Sequence, residues 1–242
     1  TSGDTSAKTH RLQHIAVYDK SFSINQSFSF CASDLMKKLS KLCLALSFSL
    51  FLTPAHADSP ITSTEISSAY ADVAIVQVAK GTAGLLNDQL MQYLVDEKNP
   101  IDVKMAIINE LNWTPDGKNN TKTFVDYLKK NTRYNSEDAI IKQAPADILL
   151  AIAYINASEN RHDAKGAMAF AEVALAKNNK SYTVQLVSGI IKAQVMFDVS
   201  WCDAFRATDD VRQNAANLTM DMRAEASDNV FQYMDLYQRY CK

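Results

Sequence analysis

Apolar side chains recur along this chain at three- and four-residue spacing, which places them on one face of an α-helix. Ile66, Ala69, Tyr70, Val73 and Val76 keep that spacing. So do Val103, Ile107, Ile108 and Leu111, then Ile148, Leu149, Ile152 and Ile155, then Tyr182, Leu186, Ile190 and Ile191. No run alternates as a strand would. Beyond residue 57 there are only five glycines and four prolines, fewer than the tight turns of a sheet protein demand. The expected fold is therefore all-α. It comprises about eight to ten helices joined by short connections, and such neighbours usually form antiparallel hairpins.

Local signals place the helix ends. Thr62-Ser63-Thr64-Glu65 has the pattern of a capping box opening a helix. Asn99 and Pro100 read as N-cap and first residue of another, with Asp102 favoured by the helix dipole. Trp113-Thr114-Pro115-Asp116-Gly117 reads as a turn. Ser136, Ser181 and Ser200 each stand where a hydroxyl can cap the segment that follows. Ala144-Pro145 restarts the chain. Ala164, Ala167, Met168, Ala171 and Leu175 form a face of mostly small residues that allows close helix contact. The last helix is expected to begin near Thr219 and to run to the C-terminus.

Between residues 146 and 194 the organisation resembles a tetratricopeptide unit. Leu150, Ala151 and Tyr154 lie on one helix, Ala167, Phe170 and Ala174 on the next, and Gly189 on the third. The spacing departs from that family's 34-residue period, and Asn178-Asn179 stands near where its terminal proline belongs. The resemblance covers about a quarter of the domain and implies stacked helical hairpins. The architecture is thus read as an irregular bundle or a weakly tetratricopeptide-like α-solenoid.

The front of the chain has a different character. Met36 is the first methionine, followed by Lys37, Lys38 and Lys41, an uncharged apolar run over residues 42–52, and Pro54-Ala55-His56-Ala57. A basic start, an apolar run too short to span a bilayer and an A-x-A ending make an export signal. Residues 36–57 are read as that signal, cleaved after Ala57. Residues 58–242 are the mature domain, and residues 1–35 an upstream non-native or disordered extension. Cys43 stands at the start of the apolar run, not after it, so lipidation is not expected. The destination implied is a bacterial periplasm.

Of the 27 acidic and 25 basic residues, 24 and 19 lie beyond residue 57, a net charge of −5 for the mature domain. An acidic surface disfavours nucleic acid and anionic membrane as partners, and no second apolar run approaches spanning length. Cys202 and Cys241 remain after processing. In an oxidising compartment they are expected to form one structural disulfide, stabilising by roughly 4 kcal/mol on chain-entropy grounds.

The remaining inventory is poor in catalytic groups. His162, the single mature histidine, sits in the polar break Glu159-Asn160-Arg161-His162-Asp163. Multi-histidine zinc sites therefore lack their parts, a Ser-His-Asp triad would have to take its base from His162, which reads as a solvated loop residue, and no cofactor, metal or catalytic residue is assigned. The loop around Asp116-Gly117 lacks the ligand pattern of a calcium-binding hand. Glu65, Glu110, Glu172 and Glu225 could supply a carboxylate pair only if the fold brought two together. Near the C-terminus Phe231, Tyr233, Tyr237 and Tyr240 make an aromatic stripe. It is either a seam against Trp201 and Phe205 or a face for a partner. The expectation is a secreted, non-enzymatic binding protein whose partner is another protein. The alternatives are an immunity protein neutralising a periplasm-acting toxin and a carboxylate-dependent hydrolase of envelope glycans.

Overall fold

Helices whose ends are set locally form where the sequence places them. The computed structural model describes residues 59–112 and 118–242. The segment read as an export signal, the residues before it and residues 113–117, expected to form a turn, lie outside the described residues. In chain order the α-helices are α1 (Pro60–Ser63), α2 (Ala74–Gly81), α3 (Asp88–Val95), α4 (Ile101–Leu111), α5 (Asn120–Asn131), α6 (Glu137–Gln143), α7 (Ala146–Glu159), α8 (Lys165–Lys177), α9 (Tyr182–Met196), α10 (Trp201–Gln213) and α11 (Ala224–Met234). Three 3-10 segments, Ser67–Tyr70, Ala215–Asn217 and Asp235–Tyr240, complete them. Among the described residues there is no strand; one isolated parallel bridge joins Ser181 to Thr219.

The serine caps act as their positions suggest. Ser136, Ser181 and Ser200 accept from the backbone N–H groups of Ala139, Val184 and Asp203 at 3.1, 3.1 and 3.2 Å. Pro100 and Pro145 stand immediately before α4 and α7, where a missing N–H costs nothing. The start of α9 gains a second cap from far along the chain. Asp221 accepts from the Thr183 N–H at 2.8 Å and from the Ser181 hydroxyl at 2.6 Å.

Two expected helices are broken. The capping box at Thr62 does not form. Ser59 caps α1 one turn earlier, and the Thr64 hydroxyl closes that turn on the Pro60 carbonyl at 2.7 Å. The chain then goes extended at Thr64 before its 3-10 turn and α2. The C-terminal helix likewise does not begin near Thr219. That residue is held by the bridge, its carbonyl taking the Tyr182 N–H at 3.0 Å. Extended Arg223 precedes α11 because its backbone N–H donates to the Tyr70 hydroxyl at 3.0 Å. In both places a tertiary hydrogen bond overrides helix propensity.

At the centre lies α7. Ile148 through Ile155 are buried without interruption, as expected for a helix enclosed on all sides. It touches α4 and α5, α8 and α9. Consecutive helices α7, α8, α9 and α10 pack each on the next, and the N-terminal segment packs against α9 and α11. Ala167, Ala171 and Ala174 present the small face of α8, all fully buried.

The approach of α9 to α10 is closest at Gly189. A Cβ there would stand 2.6 Å from the Ala207 carbonyl oxygen. Backbone cannot yield as a flexible side chain would, so the helices must separate. Gly189→Ala is expected to lower stability by about 1–3 kcal/mol, read as a fall in the thermal midpoint. An unchanged midpoint would show that the crossing is looser than its geometry.

Two buried polar links tie α4 to its neighbours. Lys104, fully buried, forms an ion pair with Asp147 at the start of α7. Asn109 connects the extended Thr64 region to Tyr154 of α7.

Candidate functional site

A concavity lies over α7. It is a cleft of about 590 Å3 with Ile152 and Asn156 as floor, α5 and α6 along one side, and Phe170 of α8 on the other. Its upper end is fixed by a charge-to-helix contact. The Glu159 carboxylate, at the end of α7, accepts from the first N–H groups of α5: Asn120, and Thr121 at 3.1 Å, with the Thr121 hydroxyl at 2.5 Å. An anion at a helix N-terminus satisfies orphan donors and the helix dipole together. The Asn120 side chain extends the same clamp. It accepts from the Leu86 N–H at 3.0 Å and donates to the Gly84 carbonyl at 2.8 Å. Gly84, at φ 80°, occupies the left-handed region such a turn requires.

Charges along the α5 wall are internally paired. Lys122 bonds Asp126 at 2.6 Å, and Lys129 reaches Glu137 of α6 at 3.0 Å. Each member of the first pair favours the other's charged form. Its hydrogen bond lifts Lys122 above the ordinary lysine range and holds Asp126 below that of a carboxylate. The three carboxylates lining the cleft are thus engaged by a cation or by backbone N–H groups. Asn156 differs. Its half-buried carboxamide has no hydrogen-bond partner among the described residues, while its backbone carbonyl accepts from Asn160. The cleft therefore offers an amide donor and acceptor on an apolar floor, flanked by an aromatic ring and neutralised charge. Such a surface has the polar and apolar groups to receive a polar chain segment.

The acids considered from sequence lie apart from this cleft. Glu65 follows α1 and is exposed, Glu110 is half-buried on α4, Glu172 is exposed on α8, and Glu225 is exposed in the first turn of α11. His162 is exposed between α7 and α8. Among the described residues no group of three His, Cys, Asp or Glu is placed to hold a metal ion. No helix there is long and apolar enough to cross a membrane.

Cys202 and Cys241 are joined, with Cα atoms 4.8 Å apart. The aromatic stripe divides beside them. Phe231 and Tyr233 are buried, with the Arg212 guanidinium over the Phe231 ring at 4.7 Å. Tyr237 is half-buried, edge-on to Phe197 at 5.1 Å and hydrogen-bonded to Tyr233 through the two hydroxyls at 2.9 Å. Only the end of the stripe is open: Tyr240 is 39 % exposed and Trp201, edge-on to it at 4.5 Å, is 45 % exposed. Phe231 and Tyr233 lie on α11, and the 3-10 turn that follows Met234 carries Tyr237 and Tyr240. Replacing both cysteines by serine is expected to cost roughly 2–4 kcal/mol and to free the C-terminal turn. Trp201 fluorescence in urea measures it; superimposable curves for the serine variant and the parent would refute it.

Asn156, Asn120 and Glu159 were not legible as site residues. The one available signal is Asn156 itself, an amide set in the otherwise apolar run Ile152-Ala153-Tyr154-Ile155-Asn156-Ala157. No protein-family model matches the chain, and no curated protein and no solved structure matches it.

Proposed function

We propose that the mature domain is an exported, non-enzymatic binding protein of the bacterial periplasm that receives a segment of another protein in the cleft over α7. The observation that carries this reading is the cleft's lining: an unpaired carboxamide at Asn156 among apolar and aromatic groups, with its neighbouring charges already paired. A half-buried amide left open at the floor of a cleft supplies direction and specificity to what binds there. The disulfide supports an oxidising destination. The acidic balance supports a protein partner over nucleic acid. In this reading α7–α8 and α9–α10 are successive hairpins of a short irregular array, and the cleft lies along the first.

The test is photo-cross-linking in the envelope. The full chain carries a photoreactive residue at Lys122, on the cleft wall, or at Lys80, on α2. A discrete adduct from the periplasmic fraction at position 122, absent at position 80 and lost with Asn156→Ala, is the expected result. Equal labelling at both positions would overturn the site. Retention of the protein in the cytoplasm would overturn the compartment.

A further inference from the structure

A second, smaller crevice lies where α8, α9 and α10 meet, away from the cleft over α7. Its volume is about 260 Å3. That far exceeds the space of one bound water and falls below the roughly 300–1,000 Å3 of a drug-sized site. Its lining includes Ser188, Lys192, Asp210, Met168, Leu175 and Val211.

Ser188 is the informative residue. It is 2 % exposed, and its hydroxyl has no hydrogen-bond partner. A buried hydroxyl left unmade costs free energy. One that lines a crevice can be satisfied by what enters it. The neighbouring Gly189 keeps α9 close to α10 at this level, with no side chain between them.

The charged groups around Ser188 are arranged differently from those of the larger cleft. Lys192 lies one turn along α9, on the same face as Ser188, and Asp210 stands across from it on α10. Both are exposed at the crevice mouth, and neither has an ion-pair partner among the described residues. Asp209, the neighbour of Asp210, is already bonded to Arg212 at 2.9 Å. Met168 and Leu175 of α8, with Val211 of α10, supply an apolar wall. One cation, one anion, a buried hydroxyl and an aliphatic wall thus share a small crevice.

We propose that this crevice binds a small zwitterion, a free α-amino acid with an aliphatic side chain. Its carboxylate meets the Lys192 ammonium and takes the Ser188 hydroxyl proton in a hydrogen bond. Its ammonium meets Asp210. Its side chain lies against Met168, Leu175 and Val211. The opposite charges at the mouth make the pair of ligand charges, and not either one by itself, the recognised feature.

Titration calorimetry of the mature, disulfide-bonded protein tests this with three probes of one carbon skeleton: L-leucine, L-leucinamide, which lacks the carboxylate, and 4-methylpentanoate, which lacks the ammonium. L-leucine is expected to bind in the millimolar range or tighter, and each truncated probe at least about tenfold more weakly, the loss of one charge-assisted contact. Lys192→Met and Asp210→Asn, both surface changes, are expected to reduce L-leucine binding to the level of the matching truncated probe. Ser188→Ala is expected to weaken L-leucine severalfold and leave 4-methylpentanoate weak. No heat from L-leucine at about 10 mM would overturn the site, leaving Ser188 to ordinary water. Equal binding of all three probes, or full binding by the Lys192→Met variant, would overturn the zwitterion.

Discussion

Asn109→Ala is expected to lower the free energy of unfolding by about 3–5 kcal/mol. The side chain is buried and makes three hydrogen bonds, each 2.8 Å long. Its oxygen accepts from the Ser67 N–H. Its amide donates to the Thr64 carbonyl and to the Tyr154 hydroxyl. Alanine leaves all three groups buried without that partner, and each costs about 1–3 kcal/mol, in part recoverable by water. The loss concerns more than one contact. Thr64 to Ser67 is the stretch where the chain leaves helix, and Asn109 is what fixes it to α4. Equilibrium urea unfolding measures the effect, and a loss under about 1 kcal/mol would mean that the extended stretch holds without it.

The same network carries a pH dependence. Burial pushes the Tyr154 phenol up from 10.0 to about 12, against the lowering effect of its hydrogen bond from Asn109. The folded state thus binds the phenolic proton more tightly than the unfolded state. Its contribution is fully present below pH 10 and is lost as pH rises through about 12. Tyr70 is raised too, chiefly by burial, and so are Tyr93 and Tyr182. Stability is therefore expected to fall steeply above pH 10, and Tyr154→Phe to flatten part of that fall.

What could be read in advance follows from how local its cause is. The caps at Ser136, Ser181 and Ser200 involve partners three residues away, so the local pattern contains the whole interaction. The apolar character of α7 is legible for the same reason. The helix breaks at Thr64 and Arg223 depend on Asn109 and Tyr70, some 45 and 153 residues distant, and no local pattern encodes them. The cysteine pair was legible because only two cysteines lie beyond residue 57. Of the aromatic stripe, Tyr237 and Tyr240 do meet Trp201, whereas Phe231 and Tyr233 are buried on α11 ahead of the 3-10 turn. The cleft was barely legible. Asn156 marks its floor, yet its walls come from α5, α6 and α8, and only the fold brings them together.

Asp147→Ala is expected to cost about 3–5 kcal/mol, and markedly more than Lys104→Met. The asymmetry follows from burial. Lys104 has no exposed side-chain surface, whereas Asp147 keeps 15 %. Removing the carboxylate strands an ammonium in the interior with no route for its head group to reach water. Removing the ammonium leaves a carboxylate that is partly solvated and sits in the first turn of α7, where the helix dipole favours negative charge. Methionine also fills the space of the lysine stem, so little cavity forms. The pair is therefore expected to set the register of α4 on α7 more than to add net stability. Lys104→Met combined with Asp147→Leu is expected to recover most of the loss seen with Asp147→Ala, because no charge is then buried. Equal costs for the two single changes, or a double variant weaker than Asp147→Ala, would show instead that the ion pair stabilises in its own right.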